Sequence, residues 1–274
     1  MTRKYELTDE TKIIRIDTTL HRIRAVGDFA LADGTEVHKG DLGGWIEKED
    51  NLSHGGKAWV GGNARVFDNA KVGDNAKACD DAIICDDAEI GGNARICGKA
   101  WIFGRAMVRD HAIVGDEAAV SCQAVISGNA RIFNNARIFN NAKISGNAHV
   151  FNDARVFDNV RIFGYAEVGG KSQISDDAEI CDDAEVGGNA WISGDAKARG
   201  KHDYAVYKNT WSSGRWFTYT RSNRMWRVGC FRGTGEKLIA KAYRDGKLCG
   251  RCYEAIVRAQ EAIDRAFDEM ENAR

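Results

Sequence analysis

The sequence predicts a mainly β protein built around a parallel β-helix, and three coupled periodicities carry that prediction. Alanine recurs every six residues from Ala58 to Ala196, at 22 of 24 positions, with Val160 and Ser172 as the exceptions. Two residues after each stands Val or Ile, again at 22 of 24 positions, with Ala78 and Ala198 departing. Two residues further on comes Gly, Asp or Asn at 23 of 24 positions, from Gly62 to Gly200, and only Cys122 lies outside the set. Six is divisible by two and not by 3.6, so the Ala and the aliphatic share one face of a short strand and the residue between them points the other way. Gly, Asp and Asn enter the left-handed backbone region with least strain, so a sharp corner every six residues follows.

Residues 128–157 show the pattern at its strictest: GNARIF NNARIF NNAKIS GNAHVF NDARVF. Residues 128–145 align with 146–163 at an offset of eighteen, so three hexads make one coil and 24 hexads make eight. With strands ~4.8 Å apart, the prism spans roughly 35–40 Å. A single coil cannot bury its inner face alone, so the coils stabilise one another as in other solenoids. The outward set includes Arg65, Lys71, Arg95, Arg131, Arg137, Lys143, Arg155, Arg161, Glu167 and Glu179, as solvent-facing positions should.

The position just after each aliphatic carries charge only at Arg109 and Arg199. It holds Phe67, Phe103, Phe133, Phe139, Phe151, Phe157 and Phe163, together with Cys79, Cys85, Cys97 and Cys181. This reads as a sheltered corner, with Phe133 near Phe151 and Phe139 near Phe157 as internal ladders. The other reading is an exposed aromatic stripe for a partner. The corner cysteines would be small buried hydrophobes, and eight cysteines without secretory context indicate reduced thiols.

Three segments follow: an N-terminal β cap (1–54), the β-helix (55–200) and a C-terminal α+β module (201–274). An open solenoid end exposes strand edges and needs a cover. The alternation in THRIRAVGDFALADGTEVHKGDLGGW supplies strands for one, with Asp33-Gly34 as a hairpin turn. After Gly200 the period stops. YAVYKNTW, RWFTYTRS and MWRVGCF read as three strands, and two helices should follow. The first begins near Thr234, and the second carries Cys252, Ile256, Ala259, Ile263, Phe267 and Met270 at helical spacing as its apolar face.

The charge balance of 39 basic against 40 acidic residues gives no global signal for nucleic acid, and 43% apolar residues suffice for a core. The N-terminus lacks the apolar run of a signal peptide, and no stretch approaches a membrane span. A soluble, cytoplasmic protein is expected. Proline is absent, which nothing in the pattern explains.

The hexads of about residues 55–200 resemble the hexapeptide-repeat proteins, whose fold is a left-handed parallel β-helix. The handedness rests on that resemblance, since the general preference for right-handed crossovers points the other way. GDFALADGTEVHKGDLGGWIEKEDNLS, followed by GGKAWV, is similar to the opening segment of YdcK-like proteins, a bacterial hexapeptide-repeat group described as transferases. The resemblance implies acyl transfer from acyl-CoA in a groove between subunits of a trimer, with a histidine as general base. His111 and His149 are the candidates, although either is equally a surface histidine, and the extruded loop of those enzymes is missing. A zinc site like that of γ-carbonic anhydrases would need three histidines, and the repeat offers two. Cys249-Gly-Arg-Cys252 is a lone CxxC with only Cys230 near, too few ligands for zinc. Paired acids such as Asp80-Asp81 and Asp176-Asp177 read as solvated turns sooner than as calcium ladders.

Two surfaces suggest binding. Ile83, Trp101, Met107, Ile113, Ala119 and Val125 put apolar side chains on outward positions, an interface to be covered by the C-terminal helices or by another copy. Arg215, Trp216, Tyr219, Arg221, Arg224, Trp226 and Arg227 alternate into an aromatic and an arginine-bearing face. They make either a phosphate-and-base site or a sheet packing its tryptophans on the helices with solvated arginines. GTGEK at 233–237 adds a helix N-terminus for an anion. The expectation is a non-catalytic binding or scaffold protein without cofactor, homo-oligomeric with a trimer favoured, taking a protein or an anionic, nucleotide-like partner. The alternatives are a hexapeptide acyltransferase using acyl-CoA and a polymer-forming protein resembling bactofilins.

Overall fold

The computed structural model describes residues 3–211 and 214–273. Five strands open the chain: β1 (Tyr5–Arg15), β2 (Thr18–Ala25), β3 (Phe29–Ala30), β4 (Glu36–Val37) and β5 (Leu42–Ile46). The 24 two-residue strands β6 (Trp59–Val60) to β29 (Lys197–Ala198) follow, one every six residues. Each pairs in parallel with the strand eighteen residues away, as in Ile83 with Trp101 and Ile84 with Ile102, and three flat faces result. All 23 corner positions from Gly62 to Gly194 have positive φ, Cys122 included. The Ala and Val/Ile series are fully enclosed and form one continuous core.

At most corners occupied by Asp, the carboxylate accepts the backbone N–H of the equivalent residue one coil on. Asp74, Asp80 and Asp86 hold Gly92, Gly98 and Gly104 at 2.8–2.9 Å. At several corners the second residue forms a parallel ladder, in which Asn69 donates to Asp87 and Asn159 to Asp177. The acidic pairs are thus structural: side-chain oxygens take up amides that the sheet leaves without an acceptor.

The solenoid starts earlier than the period shows. Trp45 and Ile46 of β5 pair in parallel with Arg65 and Val66, and Leu52 bridges Val72. This adds a turn to the eight coils expected, so that nine strands of one face are stacked coil strands. The offset in that turn is twenty residues, and Gly44 stands where the repeat has Ala because a Cβ there would lie 2.6 Å from the Ala64 carbonyl oxygen. β1 and β2 continue the same face as an antiparallel hairpin. β3 and β4 close on Gly34, the expected turn, and Leu31 and Val37 join the buried core at that end.

Four antiparallel strands, not three, cover the other end: β30 (Tyr204–Lys208), β31 (Trp216–Thr220), β32 (Met225–Val228) and β33 (Phe231–Thr234). Gly229, at positive φ, turns the segment read as one strand into a hairpin. Helices α1 (Gly235–Asp245) and α2 (Lys247–Asn272) pack on this sheet. The face α2 buries is not the apolar stripe expected. Tyr253, Val257, Gln260 and Asp264 are buried, whereas Ile263 and Met270 are 44% and 58% exposed. The reason is polar: Tyr207 donates to Gln260 at 2.5 Å and Tyr219 donates to Asp264, so one part-buried and one buried hydroxyl turn those acceptors inward.

The corner phenylalanines lie outside the alanine-lined interior along an outer edge, half-buried except for Phe67, which the N-terminal hairpin covers. Phe139 and Phe157 do stack, with centroids 5.1 Å apart. Phe133 instead leans over Gly115 and Phe151 over Gly169, where the missing side chains leave room. The prism is too narrow for rings, because Ala and Val/Ile already fill it to contact.

Candidate functional site

The C-terminal aromatic and basic residues separate by face only in part, since Arg221 and Arg224 stand on the helix side with Tyr219 and Trp226 while Arg227 faces the solenoid. Tyr219 and Trp226 are buried with Phe217 against the helices, and their ring centroids lie 5.0 Å apart. Burial and the bond to Asp264 push the Tyr219 hydroxyl above the usual tyrosine range. The opposite face is not solvated: it closes the end of the solenoid. Arg227 stacks 3.6 Å from the Trp191 ring, Thr218 accepts the Trp191 amide at 2.8 Å, and Arg232 pairs with Asp176 at 2.8 Å. Arg221 is held by Asp268 and Glu271. Trp216, Arg215 and Arg224 are exposed. A cavity of about 430 Å³ beside the start of α1 brings together Tyr219, Arg224 and Trp226 with Glu236, Glu261, Asp264 and Asp268. Its carboxylates outnumber its cations, which suits an anion poorly.

His111 and His149 stand apart from each other. His111 lines a cavity of about 260 Å³ with Lys77, Arg95 and Asp33. Asp33 bonds Lys77 at 2.9 Å, and bonds from Lys77 and Thr35 hold its carboxyl well below the usual range. Asn75 donates to Asn93, which donates in turn to His111 Nε2 at 3.2 Å, so that ladder occupies the lone pair a general base needs. His149 is half-buried between Arg131 and Glu167 on neighbouring strands.

All eight cysteines are free. Cys79 and Cys97 stand one coil apart in the same column, and their coupling holds Cys97 down at about 7 while Cys79, whose thiol also lies 3.8 Å from an Asp80 carboxylate oxygen, is pushed up. Cys249 and Cys252 are half-buried, and Cys230 is exposed. Among the described residues, one cluster has metal-ligand spacing, Asp68, Cys85 and Asp86. There Asp68 already accepts from the Asp86 amide and from Arg15, both at 3.3 Å.

The expected apolar interface is only partly open. Ile83 packs with Phe67, Cys85 and Phe103 under Ile14 and Leu20 of the N-terminal hairpin. Trp101 and Met107 remain 46% and 37% exposed, and Ile113, Ala119 and Val125 are half-buried. Helices α1 and α2 bury their inner faces in the C-terminal cluster and leave this band uncovered.

Directly after it comes a feature that residue-by-residue reading passed over. Outward positions Arg131, Arg137, Lys143, His149, Arg155 and Arg161 are consecutive hexads, so they ring the rod over two coils. Residues 128–163 hold five Lys and Arg against two Asp, and residues 164–187 hold seven acids against one Lys. Among the described residues only Arg161 of these cations reaches a carboxylate, Glu179 at 3.8 Å, and all five are exposed. The signal was present in the sequence as charge at a period of six. It was hidden because solvent-facing lysines and arginines are ordinarily unremarked.

The chain matches no protein-family model and no curated protein. Among the described residues no helix is long and apolar enough to cross a membrane.

Proposed function

We propose that this protein is a non-catalytic binding scaffold, a capped rigid rod that presents the cationic girdle of residues 131–161 to an anionic partner. The observation that supports it is the concentration of five exposed cations on outward positions of one stretch of the rod. Some cations elsewhere are matched, as in Arg15 with Asp68, Lys77 with Asp33 and Arg221 with Asp268, and others, such as Arg65, Lys71 and Arg109, have no such partner among the described residues. What sets the girdle apart is therefore its density of five cations against two acids over residues 128–163. Among the described residues, four of the five girdle cations have no carboxylate within reach. Exposed charge left unpaired adds little to folding and raises the local concentration of counter-charged ligand. The left-handed coil and the YdcK-like, hexapeptide affiliation suggested by the repeat belong to this reading.

The test uses the contrast between local and total charge. At a formal net charge of -1, the full chain should be retained on phosphocellulose at low salt near pH 7.5 and released as salt rises. Passage without retention contradicts the proposal.

Acyl transfer is the second reading, favoured by the cavity at His111. It expects CoA-dependent transfer that His111→Ala abolishes, whereas the scaffold reading expects no such activity in either protein. The covered ends weigh against a bactofilin-like filament. A trimer of parallel rods joined through the apolar band would bring three girdles side by side, and their repulsion would need anions between them. Mass measurement of the native protein at low and high phosphate tests it.

A further inference from the structure

Resting on the girdle reading, one corner of the girdle is shaped as a pocket. Arg109, Ser127, Lys143, Ser145, Arg161 and Phe163 line a cavity of about 540 Å³ spread over four successive coils. Met107, Val125, Lys143 and Arg161 pair in sequence, which places each coil one strand spacing above the last. Lys143 and Arg161 are therefore ~5 Å apart along the axis, and Arg109 sits ~10 Å below Lys143. The serine hydroxyls occupy the two intermediate corner levels. No carboxylate lines this cavity, whereas four other cavities each hold at least one, such as Asp33, Asp50, Asp158 or Asp264. Arg109 and Lys143 form no ion pair among the described residues, and Arg161 lies 5.8 Å from the Phe163 ring.

We propose that this corner binds an oligophosphate. Lys143 and Arg161 hold one end of the phosphoryl chain, Arg109 the other, and Ser127 and Ser145 donate hydrogen bonds between them. Three cations at three heights suit a chain of anionic groups better than a single anion, and a guanidinium fork matches phosphoryl oxygens. The Phe163 edge gives a nucleobase an apolar surface if the chain belongs to a nucleotide.

Titration calorimetry of the full chain with sodium tripolyphosphate is the test, and ATP forms a second arm. Saturable one-to-one binding is expected, weakened about tenfold or more by Lys143→Gln or Arg161→Gln. Arg137→Gln, which removes an exposed cation of the same girdle on another face, should change it less than about twofold. Tighter binding of ATP than of tripolyphosphate supports the site with a nucleotide as source, and binding of tripolyphosphate alone supports it with an inorganic chain. Equal losses in Arg137→Gln and Lys143→Gln would overturn the site and leave the girdle reading standing, as would absent tripolyphosphate binding by a protein that phosphocellulose retains. Absence of both overturns the two together.

Discussion

The coils and the C-terminal module bury side chains by different rules. In the coils, position alone decides: Ile132 is enclosed, its neighbour Arg131 is exposed, and the same holds hexad after hexad. In the module, hydrogen bonding outranks hydrophobicity, for Gln260 and Asp264 go inside while Ile263 and Met270 stay out. A repeat supplies the same neighbours to every residue, so apolar patterning needs no correction. A single sheet packing tyrosines against one helix has hydroxyls to satisfy, and the helix rotates to satisfy them.

The sharpest way to break this contrast is inside the prism. Ile132→Ala should cost about 2–5 kcal/mol in chemical denaturation, because tightly stacked coils cannot collapse into the gap. Arg131→Ala, one residue away, should stay within about 0.5 kcal/mol. Equal costs would mean that alternation does not assign the faces.

In the module the ranking should invert. Tyr219→Phe removes one oxygen and leaves the buried Asp264 short of a donor, a loss of about 1–3 kcal/mol. Ile263→Ser, on the exposed side, should be nearly neutral by the same measurement. A larger cost for Ile263→Ser would restore the apolar stripe as the packed face.

How much was legible follows from the same contrast. Ala58 to Ala198 could be placed because period and alternation determine burial, corner and pairing together. The turn at Trp45 and Leu52 was not visible, since Gly44 replaces Ala and the offset is twenty. The inward Gln260 and Asp264 were not visible either, because their partners Tyr207 and Tyr219 lie more than forty residues away. In the candidate site every girdle residue was read as outward, yet their closure into a ring needed three hexads per coil to be applied to charge as well as to packing. Phe133 and Phe151 were misplaced because sequence gives the column a residue occupies and not which way its ring leans.

Smaller effects sharpen the picture at the corners. Asp80→Ala removes the acceptor for the Gly98 amide and should cost about 1 kcal/mol, with Asp81→Ala costing less. At the neighbouring corner, alkylation of Cys97 followed by site-resolved mass spectrometry should rise with pH through a midpoint near 7, since the thiolate is the reactive form. Removing the neighbouring thiol with Cys79→Ala should move that midpoint upward toward an ordinary thiol. An unchanged midpoint would show that the two thiols do not interact.

The most direct measurement neutralises the ring itself, with Arg131, Arg137, Lys143, Arg155 and Arg161 all replaced by Gln. The account expects a melting temperature close to that of the parent and complete loss of phosphocellulose retention. Retention that survives the five substitutions, or a rod that no longer folds without those charges, would contradict it.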